Sequence, residues 1–313
     1  MFELSFRAMG CQIAVFLDSD DQAARDELEM VPIWFENWEQ ILSRFREDSE
    51  LSRVNRSGGE WIGVSATFWK VLEAARINHF QSSGLVSPLL LQELEAIGYT
   101  DSFDELAQYG TQERLLQPIS SQSNQGWEIG MELDGQLVSL LGESRLDFGG
   151  VAKGWAAQEC MSRLSKFGPV LVNAGGDIAI SRPPRRKKAW KIGVDNPFEA
   201  DGEIMTLSLQ TGGLASSGRD RRHWLLNGEE QHHIIDPRSS RAAESDVLSC
   251  SVIAASLLQA EMAAKKVLIL GSEAGLDWLN DQPAMSGLVI LQDASLRIAE
   301  GFEQYRVSEK VTA

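Results

Sequence analysis

The stretch Arg145–Ile178, RLDFGGVAKGWAAQECMSRLSKFGPVLVNAGGDI, decides how this chain is read. It opens on an apolar-acidic step, Leu146-Asp147-Phe148, followed by the pair Gly149-Gly150. Val151-Ala152-Lys153-Gly154 then starts a helix that carries Trp155, Ala156, Cys160 and Leu164 at roughly helical spacing. Gly168 is expected to stop that helix as a left-handed cap, with Pro169 just beyond it. A short apolar strand, Val170-Leu171-Val172, leads into a second glycine turn, Asn173-Ala174-Gly175-Gly176-Asp177. Two glycine turns, each beside a carboxylate, bracket one helix.

These features read as an anion site. Glycines let the backbone approach a ligand closely, and the free N–H groups of a helix start attract phosphate. Lys153 in the first turn opposes the helix dipole, and a bound polyphosphate would account for it. The bland alternative is a tight strand-to-helix turn with no ligand, and the local pattern leaves both open. The spacing fits neither a Walker loop, which needs Gly-Lys-Ser/Thr, nor the Gly-x-Gly-x-x-Gly dinucleotide fingerprint.

Working outward, the bulk numbers exclude some classes. The 313 residues carry a net charge of −16, which argues against a binder of bare nucleic acid. A phosphate ligand must therefore be held by local charge against the global field. Cys11, Cys160 and Cys250 are far apart and odd in number, so neither a disulfide framework nor zinc spacing is read. The N-terminal MFELSFR has no basic start or apolar signal core, and no apolar run reaches membrane-spanning length. A cytoplasmic protein is expected.

Hairpin signals set the fold class. Residues 1–17 alternate through Leu4, Phe6 and Ala8, then Ile13, Val15 and Leu17. Further hairpins are expected at Asp134-Gly135, at Asn227-Gly228 and at Asp293-Ala294-Ser295. Helices are expected over 20–45, with an interruption near Pro32, from a Ser65 cap towards Phe80, and over Ser256–Leu270 before Gly271. The polar stretch 104–125 reads as a surface loop. Ser181–Lys188, with its Arg185-Arg186-Lys187-Lys188 run, reads as a solvated hairpin tip or as a basic contact for an acidic carrier protein. The expectation is an α+β fold of largely antiparallel sheets flanked by helices. No repeat or linker appears, so 1–313 is taken as one unit, with at most two subdomains.

Several motifs together resemble one family. Asp147–Trp155 is similar to D-L-G-G-I-A-K-G-Y, the signature of the ApbE family, the FAD:protein FMN transferases. Asn173–Asp177 resembles that family's N-x-G-G-D, Ala8–Cys11 its A-M-G-T, and Leu42–Asn55 its S-x-[FY]-x-x-x-S-E-L-S-R-L-N element. Gly84–Pro88 stands where the family has G-x-F-D-P, and LEAIGYTDSF (94–103) where it has L-x-x-x-G-Y-D-x-S-F. Trp190–Pro197, Ala215–Arg219 and His233–Pro237 resemble W-x-I-G-I-x-x-P, S-T-S-G and H-I-I-D-P. The likeness covers nearly the whole chain.

The resemblance implies a T-fold-like architecture and cleavage of FAD. FMN would pass through a phosphoester to a Thr or Ser of an acceptor flavoprotein, with release of AMP. It places Met9, Phe45, Leu85, Val86, Ser87, Asp147, Lys153, Asp177 and Ile235 against the flavin nucleotide. Phe45 could stack on a ring of FAD, while Met9 alone reads as core packing and Ser49-Glu50 as a plain helix cap. His233 is the expected proton acceptor, since an imidazole takes a proton near pH 7, or a phosphate contact; a packed histidine at a strand end is the alternative. Lys153, Asp147 and His233 make up the expected catalytic set.

The chain departs from the family at several points. Val86 and Ser87 replace Phe and Asp, Ser239-Ser240 replaces Thr-Gly, and Gln158 stands where relatives often have Asp. In the family an Asp and a Thr four apart on a helix hold Mg²⁺, with a backbone carbonyl that would be Gly150 here. Those two positions are Glu261 and Lys265. A hard cation wants oxygen donors, and a protonated lysine offers none. The pair instead suits an i,i+4 ion pair. Three readings follow: a transferase, an ApbE-like FAD-binding protein without transfer, and a metal-dependent FAD pyrophosphatase.

Overall fold

The structure is a computed structural model that describes residues 1–106, 126–199 and 202–307. Strands β1 (Phe2–Ala8) and β2 (Cys11–Leu17) form the first hairpin. Its two-residue turn puts Met9 at φ 51° and Gly10 at φ 68°, the left-handed pair whose twist matches that of the flanking strands. Helices α1 (Gln22–Glu29) and α2 (Val31–Leu42) are split at Met30, and Pro32 sits in the first turn of α2, where its missing N–H costs nothing. The expected interruption is thus where the proline put it.

Ser49 accepts from the Ser52 N–H and starts α3 (Glu50–Asn55), so it acts as the plain cap. The short strand β3 (Ile62–Gly63) precedes Ser65, which caps α4 (Ala66–Gln81) through the Phe68 N–H. Helix α5 (Leu91–Ala96) and the helical turn α6 (Phe103–Leu106) follow. Leu106 is buried, so the start of the expected 104–125 surface loop belongs to a packed turn; residues 107–125 lie outside the described ones. Strands β4 (Ile129–Glu132) and β5 (Leu137–Leu140) make the next hairpin, and β3 joins them.

Helix α7 (Ala152–Leu164) leads into β6 (Val170–Ala174) and β7 (Asp177–Ile180), with Gly175 and Gly176 both at positive φ between them. The helix does not end at Gly168. It ends at Leu164 with Ser165 still in right-handed geometry. Gly168 is required for a different reason: a Cβ there would lie 2.5 Å from the Asp18 carbonyl oxygen. After β7 the chain crosses to β8 (Trp190–Asp195), which pairs with β9 (Glu203–Leu209) and not with β7. The basic run 181–188 is therefore a crossover and not a hairpin tip. It is solvated at Arg185–Lys188, and Arg185 pairs with Asp18 and Asp20.

The rest runs β10 (Gly212–Gly218), β11 (His223–Leu226), β12 (Glu229–His232), β13 (Ile235–Asp236), β14 (Arg241–Ala242), β15 (Val247–Ala254), α8 (Leu257–Leu270), α9 (Ser272–Asn280), β16 (Ser286–Leu291) and β17 (Leu296–Ile298). Ser256 caps α8 and Gly271 closes it at φ 86°. Ser240 holds φ 56° between β13 and β14, so a serine adopts the left-handed turn in which the family has glycine.

Among the described residues, eight strands form one antiparallel sheet in the order β1-β2-β6-β7-β10-β15-β16-β17. Alternate side chains on a strand face opposite ways, and each face has its own core. Ile13, Val15, Leu17, Val170 and Val172 pack with Phe35, Phe68, Phe148, Trp155 and Leu164 of the helical layer. Leu171, Ile178, Ile180 and Leu214 pack instead against Trp190, Ile192, Val194, Leu207 and Leu209 of the β8–β9 ribbon. This α+β layering brings the start of α7, the β6–β7 turn and the end of β10 to one end of the sheet.

Candidate functional site

Both glycine turns of the opening stretch meet there. The Asp147 carboxylate accepts from the Gly149 N–H at 2.8 Å through one oxygen and pairs with Arg44 at 2.8 Å through the other. Asp147 thus shapes the glycine turn and anchors a guanidinium. Lys153, projecting from the first turn of α7, lies 3.4 Å from Asp177 at the start of β7. Burial, the largest single influence, depresses the Lys153 ammonium, but the charge of Asp177 together with those of Glu261 and Cys11 outweighs it and holds the group above its ordinary value. The lysine that opposes the helix dipole is answered by the carboxylate of the second turn.

Three clefts converge on these residues. One, of about 200 Å³, is lined by Met9, Arg44, Phe45, Tyr99, Asp147 and Lys153. In it the Arg44 guanidinium lies 4.1 Å from the Phe45 ring centre and 4.7 Å from that of Tyr99. A flat aromatic ligand suits such a wall. A second, of about 110 Å³, is lined by Leu85, Val86, Ser87, Gly150, His233, Ile235 and Lys265 among others. The third, of about 550 Å³, runs from Lys153, Asp177, His233 and Lys265 along β8 and past the hydrogen-bonded Ser216 and Ser251 hydroxyls. Arg222 lines all three.

The two neighbouring histidines differ. His232 is buried, with one ring nitrogen 3.0 Å from the Ala243 carbonyl and the other accepting from the Ile234 N–H. It is a packed strand-end histidine. His233 lines two clefts, and its Nδ1 has no hydrogen-bond partner among the described residues. Burial, followed by the charges of Arg222 and Lys153, pushes its pKa well below the ordinary value. The ring is therefore neutral at pH 7 and able to receive a proton once an anion offsets those charges.

The Glu261–Lys265 face of α8 forms the ion pair, with Lys265 Nζ 2.9 Å from Glu261 Oε1. Glu261 is only 1% exposed and lines none of the three clefts. Its other oxygen, Oε2, has no hydrogen-bond partner among the described residues and abuts the Gly154 Cα in the α7–α8 interface. Burial pushes the Glu261 carboxyl up, against the pull of the Lys265 charge. The set Gly150, Glu261 and Lys265 does not suit a divalent cation: one carboxylate oxygen is occupied by an ammonium, the other faces a helix, and of the two side chains only Lys265 lines the clefts. Gln158 has a structural task, accepting from the Leu257 N–H at the start of α8.

The sequence profile of the ApbE family matches residues 9–289. The chain belongs to the ApbE family. Among curated relatives of this ApbE chain, an FAD:protein FMN transferase of Treponema pallidum is 25% identical over 308 residues, covering 93% of this chain and 84% of its own. Another of Vibrio cholerae is 26% identical over 282 residues, covering 85% and 78%. A crystal structure of an ApbE protein from Thermotoga maritima superposes with a TM-score of 0.84 at 24% identity, covering 98% of this chain and 99% of that one. A solved flavin transferase ApbE from Vibrio cholerae gives 0.78 at 21% identity, covering 97% and 98%. The α+β class and the ApbE architecture expected from the sequence are the ones observed.

In this ApbE chain every expected nucleotide contact lines one of the converging clefts, whereas Glu261 alone among the expected site residues lines none of them. Reading the sequence missed Arg44, Tyr99 and Arg222. The run Arg219-Asp220-Arg221-Arg222 directly after the Ser-Ser-Gly turn was the available signal for Arg222. Arg44 and Tyr99 lie 55 positions apart, beyond the reach of any local spacing. No helix among the described residues is long and apolar enough to cross a membrane.

Proposed function

We propose that this chain is an FAD:protein FMN transferase. It binds FAD, breaks the pyrophosphate and joins FMN through a phosphoester to a Thr or Ser hydroxyl of an acceptor flavoprotein. The observation that carries this reading is the junction itself. Lys153, Arg222 and Lys265 surround a neutral His233 where a ring-binding cleft meets an open cleft of about 550 Å³, a size common for ligand sites.

On this reading one ring system of FAD lies against Phe45, Tyr99 and Arg44. The pyrophosphate then falls between the start of α7 and the three cations. Those cations offset the charge that develops as the acceptor oxygen attacks the FMN-side phosphorus. The new P–O bond forms as the bond to the AMP phosphate breaks, and AMP leaves. His233 receives the hydroxyl proton. Asp177 holds Lys153 in place, and Asp147 fixes the turn that presents the helix start.

The test is AMP release from FAD with an acceptor domain, read together with covalent flavin fluorescence on the acceptor band. AMP with a fluorescent band supports transfer. AMP without any band points to hydrolysis by water. FAD binding with no AMP at all favours the binding-only reading, for which the Glu261–Lys265 pair is the specific motive.

A further inference from the structure

We propose that Lys265, together with Arg222, is the resident cation of this phosphate site, and that the chain takes the FAD diphosphate without a divalent metal. The inference rests on the flavin-transfer reading above and deepens it.

The geometry argues for substitution rather than loss. Lys265 projects from α8 over Gly150, so that a Cβ on that glycine would lie 3.6 Å from the lysine Cε. It reaches the two clefts that His233 lines. Its aliphatic stem is largely covered, at 16% side-chain exposure, and Glu261 holds its head at 2.9 Å. A buried carboxylate that orients an ammonium is a positioning device: it lowers the freedom of a flexible cation before any ligand arrives. Charge gives the second argument. A carboxylate with a divalent cation leaves one net positive charge facing the phosphates. Glu261 with Lys265 leaves none, and Arg222 restores it. Among the described residues no carboxylate lies within ion-pair distance of Arg222, and its guanidinium donates to the Gly10 carbonyl at 3.4 Å. Lys153, by contrast, is already held by Asp177.

The experiment measures FAD binding by quenching of flavin fluorescence, in EDTA and in saturating Mg²⁺, alongside Mn²⁺ titration followed by electron paramagnetic resonance with FAD present. For the unmodified chain the expected result is one affinity in both buffers and no FAD-dependent loss of the free Mn²⁺ signal. For Lys265→Thr the expected result is at least tenfold weaker FAD binding in EDTA, partly regained with Mg²⁺ or Mn²⁺. Lys265→Met, which adds no oxygen, should weaken binding without any metal rescue. Binding by the unmodified chain that requires Mg²⁺, or Mn²⁺ captured with FAD, overturns the inference while leaving flavin transfer standing. No FAD binding in either buffer overturns the flavin reading and this inference with it. The measurements on the unmodified chain decide the matter even where a variant fails to fold.

Discussion

Gly154 offers the sharpest test of how the site is built. Replacing it with alanine would place a Cβ well inside van der Waals contact with Glu261 Oε2, 3.2 Å from the carboxylate carbon and 3.7 Å from Leu257 Cγ. Helix propensity alone favours the change by about 0.8–1 kcal/mol. Overpacking a rigid interior costs roughly 1–3 kcal/mol, and breaking a buried ion pair costs roughly 3–5 kcal/mol. The carboxylate has no slack, because it is 1% exposed and its other oxygen is tied to Lys265 at 2.9 Å. The alanine should therefore break the pair, for a net loss of about 2–4 kcal/mol once propensity is subtracted. Equilibrium urea unfolding of Gly154→Ala, Glu261→Ala and the double variant reads this directly. In the Glu261→Ala background the new methyl has room, so Gly154→Ala should be neutral or stabilising there. An equal cost in both backgrounds, or a gain in the unmodified chain, would refute the packing argument.

The other predictions concern the clefts and pH. His233→Asn should lower FMN transfer by about 10²–10⁴-fold while leaving FAD quenching nearly unchanged; a parallel loss of FAD binding would make His233 a binding residue and not the proton acceptor. Arg222→Ala should weaken FAD binding by about 10- to 100-fold, the worth of a charge-assisted hydrogen bond, and calorimetry showing no change would remove Arg222 from the phosphate site. Both His232 and His233 have pKa values held below the ordinary one, chiefly by burial. Their contribution to stability is therefore complete above the unfolded value near 6.5 and is lost as pH falls below it. The unfolding free energy from urea titration should drop between pH 7 and pH 5, by at most about 1.4 kcal/mol per pH unit for each histidine. The drop should be smaller in His233→Asn, and identical slopes would contradict the assignment.

The sequence alone determined the local elements. The period-two and helical patterns, the cap at Ser65, the stop at Gly271 and the hairpin turn at Asn227-Gly228 are short-range features, and each appears where its residues put it. So was the family legible, because its motifs run along the whole chain. Gly168 was misread for the opposite reason: its constraint is an approach to the Asp18 carbonyl, which no window around residue 168 contains. Only the tertiary structure could decide that Lys153 is answered by Asp177, that Arg44 lies over both the Phe45 and Tyr99 rings, and that Arg222 lines three clefts. The sequence left Glu261 and Lys265 open between metal ligands and an ion pair, because spacing shows that two side chains share a helix face but not what packs over it. The α7–α8 contact at Gly154 buries the carboxylate and leaves Lys265 as the member of the pair that lines the clefts. Burial and long-range charge are properties of the folded assembly, and they turn one pair of residue types into one kind of site rather than another.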